Sequence, residues 1–169
     1  PIITQVSRWD RLKGFLPLMR GFARFRERLR ADPPRDDVVG RRLALSRLVL
    51  AGPDPDSVAD DPEGREVLQE LREAWMGCDP AVRPEIALLA LPMRDPGVNA
   101  LIVNALQRVS SVIVQNSLRE GFGLTITEAM WKGVPVLSNS MACGPRQQVR
   151  DRIDGRMIAD PGDEESIAA

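Results

Sequence analysis

The chain has 169 residues, 43% of them hydrophobic and 28% charged, which suits one globular domain with its own core. Its 23 basic residues nearly balance its 24 acidic residues, and the net charge of -1 argues against whole-domain attraction to nucleic acid or to an anionic membrane. Histidine is absent, which excludes Ser-His-Asp and Cys-His catalysis and most zinc sites within the chain.

Two further patterns concern the cell compartment. No apolar stretch approaches the ~20 residues that a membrane span needs, and the sequence shows no signal peptide. Cys78 and Cys143 lie far apart and outside any metal-ligand spacing, which is typical of reduced thiols. We therefore expect a cytoplasmic protein that binds no nucleic acid and has no membrane span.

The first elements are predicted to be a strand, a basic loop and a helix. Ile2 to Val6 is a short apolar run suited to a strand. The loop after it carries Arg8 and Lys13, which taken alone would be ordinary surface charges. Phe15 to Arg30 is predicted to be a helix, because apolar residues recur on one face. That face consists of Leu18, Phe22, Phe25 and Leu29.

The next segment is predicted to be a loop, a strand and a second helix. Ala31 to Arg42 is polar and carries prolines, which favours a mobile loop, and Leu43 to Ala51 reads as a strand. After a loop over Asp54 to Asp60, Asp61 and Pro62 suit the cap and first position of a helix. Its predicted buried stripe is Val67, Leu68, Leu71 and Trp75.

A third strand and a third helix follow. Ile86 to Leu91 is an apolar run, and Asp95-Pro96 suits a helix start. The helix after it carries apolar residues at helical spacing, which predicts that this stripe is core. The stripe consists of Val98, Leu101, Ile102, Ala105, Leu106 and Val109.

The stretch from Arg119 to Asn139 contains the strongest indication of a binding site. It follows a strand-like run, Val112 to Gln115, and opens a helix that ends at Lys132-Gly133. Gly121 and Gly123 therefore lie in a tight strand-to-helix turn, where the lack of a Cβ lets a ligand approach the main chain. Backbone N–H groups at such a turn, with the positive end of the helix dipole, form a site for an anion such as phosphate.

Two carboxylates flank this turn. Glu120 and Glu128 have seven residues between them, and carboxylates beside an anion site suit a ligand that also carries hydroxyl groups. Each has a plainer interpretation. Thr125 to Glu128 also fits a capping box, in which Glu128 only starts the helix, and Glu120 could be a solvated loop residue.

The remaining elements complete an alternation of strands and helices. Pro135 to Leu137 and Arg156 to Ile158 read as strands, the second after an Asp154-Gly155 turn, and Ala159 to Ala169 as the start of a helix. This alternation predicts an α/β fold, a Rossmann-like parallel sheet with helices on both faces. Ligands of such sheets bind beyond the carboxyl ends of the strands.

The run from Glu120 to Val136, E-G-F-G-L-T-I-T-E-A-M-W-K-G-V-P-V, resembles the Glu-x7-Glu signature of retaining GT-B glycosyltransferases (family 4-like, group 1). Arg8, four residues and then Lys13-Gly14 match a second family pattern. Where members often have a Gly-Gly loop, this chain has only Gly144. The resemblance implies that residues 1–169 form a single nucleotide-sugar-binding domain, one half of a GT-B fold, and that they are a C-terminal part of a longer two-domain enzyme.

The resemblance also implies a role for each matched residue. Arg8 and Lys13 would neutralise the departing diphosphate, and Glu120 would bind a hydroxyl of the transferred sugar. Glu128 would accept hydrogen bonds from both ribose hydroxyls. No metal and no other cofactor is then expected, because the two cations supply the positive charge. The sugar and phosphates would be held by Phe122, Gly123, Leu124 and Thr125.

The implied activity is transfer of a hexosyl group to a sugar acceptor. T-I-T-E-A-M-W-K-G-V-P-V and the segment from Asp60 to Gly64 look most like trehalose synthases, which implies glucose transferred to glucose. The donor would be UDP-, GDP- or ADP-glucose. The acceptor would bind an N-terminal domain outside this chain, so the isolated domain is expected to be inactive.

Two other functions remain open from the sequence. A sugar-nucleotide epimerase or hydrolase of GT-B build would carry a similar donor site. A non-catalytic nucleotide-binding module would keep the motif only as structure. Hydrolysis of the donor in the absence of an acceptor would favour the epimerase or hydrolase. Nucleotide binding that stays unchanged when Glu120 and Arg8 are removed would favour the non-catalytic module.

Overall fold

The computed structural model describes residues 1–58 and 61–169. The strands are β1 Ile2–Val6, β2 Arg47–Pro53, β3 Ile86–Leu91, β4 Val112–Gln115, β5 Val136–Asn139 and β6 Gly155–Ile158. The α-helices are α1 Phe15–Ala31, α2 Asp37–Ala44, α3 Pro62–Gly77, α4 Pro96–Val109, α5 Leu124–Trp131, α6 Cys143–Gln148 and α7 Glu164–Ala168. Across the described ranges, no helix is both long enough and apolar enough to span a bilayer.

The strands form one parallel sheet in the order β3-β2-β1-β4-β5-β6. Because parallel crossovers are right-handed, this order puts α1 and α3 on one face and α4, α5 and α6 on the other. Each face has its own apolar cluster. The first includes Trp9, Phe15, Met19, Leu50 and Leu71, and the second Ile113, Ile126, Ala129, Val136 and Val149. The predicted Rossmann-like fold is confirmed.

Local signals placed most element boundaries correctly. Strands β1, β3 and β4 have the predicted bounds. The Asp61 carboxylate accepts the Gly64 N–H at 2.9 Å as the cap of α3. In the predicted loop over Asp54 to Asp60, Pro55–Ser57 forms a 3-10 turn, while Ala59 and Asp60 lie outside the described residues. These signals act within a few residues of chain, so sequence alone suffices for them.

The predicted loop over Ala31 to Arg42 is wrong, because most of its second half belongs to helix α2. Asp36 caps the helix by accepting the N–H groups of Val38 and Val39 at 2.8 and 3.0 Å. At the other end, the Arg26 guanidinium donates to the carbonyls of residues 43 and 44 at 2.8 and 3.0 Å. The helix displaces the predicted strand start, and β2 begins only at Arg47.

The prediction that the α4 stripe is core is also wrong. Val98, Leu101 and Val109 are 45%, 68% and 61% exposed. The helix is apolar on nearly all sides, and it turns a different face inward, with Gln107 only 1% exposed. A helix with two apolar faces offers two possible orientations, and the periodicity alone could not choose between them.

The strand order creates a switch point between β1 and β4. These two strands are neighbours, with Ile3 opposite Val112, but their connections leave in opposite directions, β1 towards β2 and β4 towards β5. In sheets of this type the loops that follow two such strands separate at the carboxyl edge, and ligands bind in the crevice between them. The predicted site residues lie in these two loops and in the first turns of α5.

Candidate functional site

An ion pair joins the two loops at the switch point. The Lys13 Nζ donates to Glu120 Oε2 at 2.9 Å, although 107 positions separate the two residues in sequence. Their side chains are only 14% and 18% exposed, so the pair is largely shielded from water. The structure thus brings together two of the residues predicted to act on the donor.

The backbone of Lys13 is held in place from several sides. It ends a 3-10 turn, Arg11–Lys13, in which Asp10 accepts the Leu12 N–H at 2.7 Å. Its carbonyl accepts a hydrogen bond from the buried amide of Gln5 at 2.8 Å. Gly14 follows with φ of 64°. These contacts restrain the backbone of the turn, so the Lys13 side chain starts from a fixed position at the switch point.

Arg11 ties the same turn to helix α3. Its guanidinium lies 2.5 Å from a Glu70 oxygen, 3.3 Å from Glu66 and 3.8 Å from Glu63, which form an acidic stripe along the helix. The hydrogen bond to Glu70 raises the pKa of Arg11 above its usual value, and the bond to Glu66 raises it by a smaller amount. The contacts are exposed to solvent, so their role is to restrain the turn rather than to stabilise the fold strongly.

Arg8 lies in the same loop but apart from the ion pair. Its side chain is 74% exposed, and its guanidinium lies 3.6 Å from the Asp10 carboxylate. Nothing that the structure describes joins it to Lys13 or Glu120 by a hydrogen bond or ion pair. The structure therefore places Arg8 at the correct edge of the sheet without bringing it into contact with the other candidates.

The glycine turn leads directly into α5. Gly123 has φ of 88° and precedes Leu124, the first residue of the helix, and no side chain caps the helix start. The N–H groups of the first turn, including that of Thr125, thus lack a side-chain cap and can face an anion. Phe122 and Leu124 are 55% and 68% exposed. Of the predicted donor-binding residues in this turn, Phe122 and Leu124 are thus exposed, Thr125 is half-buried and Gly123 is buried.

The start of α6 supports this turn from behind. The Gly144 N–H donates to the Glu120 carbonyl at 3.1 Å, and a Cβ at Gly144 would lie 2.4 Å from the Phe122 carbonyl oxygen. The Gln148 amide donates to the same Phe122 carbonyl and accepts from the Thr127 hydroxyl at 2.6 Å. A side chain at Gly144 would therefore displace the turn that contains Phe122.

Glu128 is not part of a capping box. The helix begins at Leu124, so Thr125 is already helical and Glu128 lies in the second turn. Its Oε2 instead accepts the Gln107 Nε2 of α4 at 2.7 Å. The purely structural interpretation of Glu128 as a helix cap is therefore wrong.

Two buried glutamines were missed by the sequence analysis. Gln115, 2% exposed at the end of β4, donates from Nε2 to Ser117 Oγ at 2.6 Å and to Glu120 Oε2 at 3.2 Å. Gln107, in α4, contacts Glu128 as described above. No local signal marks either residue, because a glutamine in a strand or helix normally indicates a solvated position.

The cysteines and the possible metal ligands were also located in the structure. In the part of the chain that the structure describes, no group of three or more His, Cys, Asp or Glu side chains could hold a metal ion. Both cysteines are free thiols. Burial raises the pKa of the Cys78 thiol, whereas Cys143 is exposed and its Sγ lies 3.4 Å from the Glu120 carbonyl oxygen.

Gly121 provides a test of close ligand approach to this turn. A Cβ at this position would meet no protein atom within 4 Å, and its φ is not positive, so the fold itself does not require glycine here. We expect Gly121→Ala to change the free energy of unfolding by less than about 0.5 kcal/mol. We expect it to weaken nucleotide-sugar binding by about five- to a hundredfold, because the methyl group would stand in the ligand's space.

The matched control for this prediction is Gly77→Ala. A Cβ at Gly77, the last residue of α3, would also meet nothing within 4 Å. Calorimetric titration and thermal unfolding of both variants separate ligand contact from stability. Equal affinity in the Gly121 variant and the parent would contradict close approach of the ligand to the main chain.

Comparison with known proteins adds two kinds of finding. Residues 97–169 match the family model described as "Glycosyl transferases group 1". The trehalose synthase of Pyrococcus horikoshii is 37% identical over 161 residues, which cover 95% of this chain and 32% of that protein. The chain therefore spans about a third of the length of this curated relative.

Solved structures share the fold over nearly the whole chain. A UDP-forming α,α-trehalose-phosphate synthase from Burkholderia xenovorans has a TM-score of 0.73 at 20% identity, covering 99% of this chain and 34% of that one. Anabaena Alr3699/HepE in complex with UDP and glucose has a TM-score of 0.70 at 18% identity, covering 99% and 36%. At such identities the likeness establishes the fold.

Proposed function

We propose, from the premise that residues 97–169 are a glycosyl transferases group 1 domain, that the chain is the nucleotide-sugar-binding domain of a retaining GT-B hexosyltransferase. One observation carries the proposal. The Lys13 ammonium and the Glu120 carboxylate meet at 2.9 Å at the switch point, the place where sheets of this type bind their ligands. A cation for phosphate and an acceptor for hydroxyls thus stand side by side.

The donor would lie along the carboxyl edge, between the loop after β1 and the start of α5. Its diphosphate would accept hydrogen bonds from the uncapped N–H groups of Leu124 and Thr125. The ammonium group of Lys13 would attract it as a positive charge. Arg8, exposed on the same loop, is free to reach the ligand as a second cation. Its guanidinium can bind phosphate oxygens in a bidentate manner.

The sugar and the ribose would be held at the two ends of the glycine turn. Glu120 would accept a hydrogen bond from a sugar hydroxyl, and the N–H groups of Phe122 and Gly123 would donate to the same sugar. Glu128 would accept the ribose hydroxyls. Both carboxylates are partly accessible to solvent, Glu120 at 18% of its side chain, so a ligand can reach them.

The transfer step requires charge stabilisation more than a protein nucleophile. The bond between the anomeric carbon and the diphosphate oxygen breaks, and a bond from the acceptor hydroxyl oxygen to the same carbon forms. The hydroxyl proton passes to an oxygen of the departing diphosphate. Lys13 and Arg8 would stabilise the negative charge that develops on this leaving group, a contribution of ~3 kcal/mol for a well-placed donor. The two cations would take the place of a metal ion.

The names of the relatives support a choice of substrates. The name of the Pyrococcus horikoshii protein is trehalose synthase, and the Anabaena structure holds UDP and glucose. We therefore infer that the transferred group is glucose, carried by UDP, GDP or ADP, and that the acceptor is a sugar such as glucose. The acceptor would bind a further domain, because this chain spans only about a third of its relative.

Titration of nucleotides against a Glu128→Ala variant tests the donor site. We expect one of UDP, GDP and ADP, and its glucose derivative, to bind the parent protein. The variant is expected to lose about ten- to a hundredfold in affinity, because it removes a charged acceptor from the ribose hydroxyls. Isothermal titration calorimetry measures the affinity, and circular dichroism establishes that the variant is folded.

The matched control is Glu73→Ala. Glu73 lies on α3 and, like Glu128, accepts a hydrogen bond from a glutamine, Gln69, at 2.9 Å. Its removal is expected to leave nucleotide affinity unchanged. If the Glu128 variant binds nucleotide as tightly as this control, the proposed ribose site is contradicted. Hydrolysis of the donor in the absence of an acceptor would favour a hydrolase.

A further inference from the structure

The buried glutamine of α4 makes an unusual contact for a core residue. Gln107 is 1% exposed, yet its Nε2 donates at 2.7 Å to the Oε2 of Glu128, an exposed residue on α5. The amide thus reaches from the interior to a carboxylate at the surface. It is the only hydrogen bond to the Glu128 side chain that the described residues supply.

The surroundings of Gln107 do not by themselves call for a glutamine. Val103 and Leu106 are partly buried neighbours on the inward side of α4, and Ala129 of α5 is fully buried. A methionine or leucine would fill a similar volume without desolvating an amide group. The buried amide is therefore explained better by its effect on Glu128 than by filling of the core.

Glu120 shows the same arrangement. The buried Gln115 donates to Glu120 Oε2 at 3.2 Å, and Lys13 donates to that same oxygen. In both glutamates the held atom is Oε2, and no hydrogen bond from any residue with a described position reaches Oε1. Each carboxylate is thus fixed through one oxygen and presents the other for a ligand.

We propose that Gln107 is a positioning residue, which orients Glu128 towards the ribose of a nucleoside diphosphate and so determines selectivity for ribose over 2′-deoxyribose. The proposal rests on the proposed function, in which Glu128 accepts the ribose hydroxyls. A glutamate on a helix surface otherwise samples several rotamers, and ordering it on binding costs about two- to tenfold in affinity. The Gln107 amide orders it before the ligand arrives.

The test compares the affinities for ribose and 2′-deoxyribose nucleotides. The full-length protein is titrated with UDP, GDP and ADP, and then with the 2′-deoxy form of the tightest binder. We expect the parent to prefer the ribonucleotide by about tenfold, the effect of one hydrogen bond to a charged group. In Gln107→Met this ratio is expected to fall to about twofold, while the 2′-deoxy affinity stays nearly unchanged.

Two further variants make the test decisive. Gln107→Leu repeats the measurement if the methionine variant fails to fold in thermal unfolding. Gln69→Met is the matched control, because Gln69 also donates to a glutamate, Glu73 at 2.9 Å, but on the exposed surface of α3. It is expected to keep the tenfold ratio.

The outcomes separate this proposal from the one on which it rests. If both Gln107 variants lose affinity for the two nucleotides equally and keep the ratio, Gln107 has only a structural role and the positioning proposal fails. If no diphosphate binds the parent, or if Glu128→Gln keeps the ratio, the assignment of Glu128 to the ribose fails first, and the role of Gln107 fails with it.

Discussion

Replacing Lys13 with methionine in the full-length enzyme is expected to lower kcat by at least about a hundredfold, with a much smaller change in KM. The ammonium group lies at the switch point of the sheet, beside Glu120, and the Lys13 side chain is only 14% exposed. There it would meet the negative charge that grows on the diphosphate as the glycosidic bond breaks. A preorganised cation in a partly desolvated site stabilises the transition state more than the ground state.

The control for this prediction is Lys132→Met. Lys13 and Lys132 are the only lysines of the chain, so both variants remove the same charge. Lys132 lies at the end of α5, where its Nζ contacts the Glu128 carbonyl at 3.3 Å, and its loss is expected to change kcat by less than about threefold. Release of nucleoside diphosphate from the donor measures the rate. A Lys13 variant that is folded and retains kcat within threefold of the parent would rule out the leaving-group role.

Gly14→Ala is expected to lower the free energy of unfolding by about 3 kcal/mol or more. Gly14 has φ of 64°, which disfavours any side chain, and an added Cβ would lie 2.1 Å from the Asn116 carbonyl oxygen. That oxygen belongs to the backbone of the loop after β4, so it cannot move aside cheaply. The substitution would push apart the two loops that carry Lys13 and Glu120.

Denaturant unfolding of Gly14→Ala and Gly40→Ala measures this effect. Gly40 lies inside α2, and a Cβ there would meet its nearest atom at an ordinary 3.6 Å. Alanine at Gly40 is expected to stabilise the chain by up to about 1 kcal/mol, because it favours the helix more than glycine does. If the Gly14 variant were as stable as the parent, the close contact between the two loops would be disproved.

Buried polar side chains hold the loops together at the carboxyl edge of the sheet. The Asn116 amide donates to the Gly14 carbonyl at 3.1 Å and to the Pro161 carbonyl at 2.8 Å. The Asn139 amide donates to the Ser117 carbonyl at 2.8 Å. These bonds join the loops after neighbouring strands to one another, so the positions of Lys13 and Glu120 depend on a network rather than on either loop alone.

The sequence by itself determined the elements whose signals are local. Asp61 caps α3 and Gly133, with φ of 68°, ends α5, because caps and turns act within a few residues of chain. The alternation of strands and helices also determined the parallel sheet. Since the carboxyl ends of parallel strands share one edge, this sheet also puts the loops that carry Lys13 and Glu120 at the same edge.

Only the tertiary structure decided the features that depend on distant partners. The Arg26 guanidinium donates hydrogen bonds to the carbonyls at the end of helix α2 and pairs with Glu85 at 2.6 Å. No pattern within the eight residues of α2 reveals this support. The inward face of α4 was decided by packing, because the helix has two apolar faces and periodicity cannot rank them. The same orientation brought Gln107 to Glu128, a contact across 21 positions that the capping-box pattern in the sequence does not reveal. Contacts of this kind arise only when two elements pack together, so they lie beyond the reach of any local signal in the sequence.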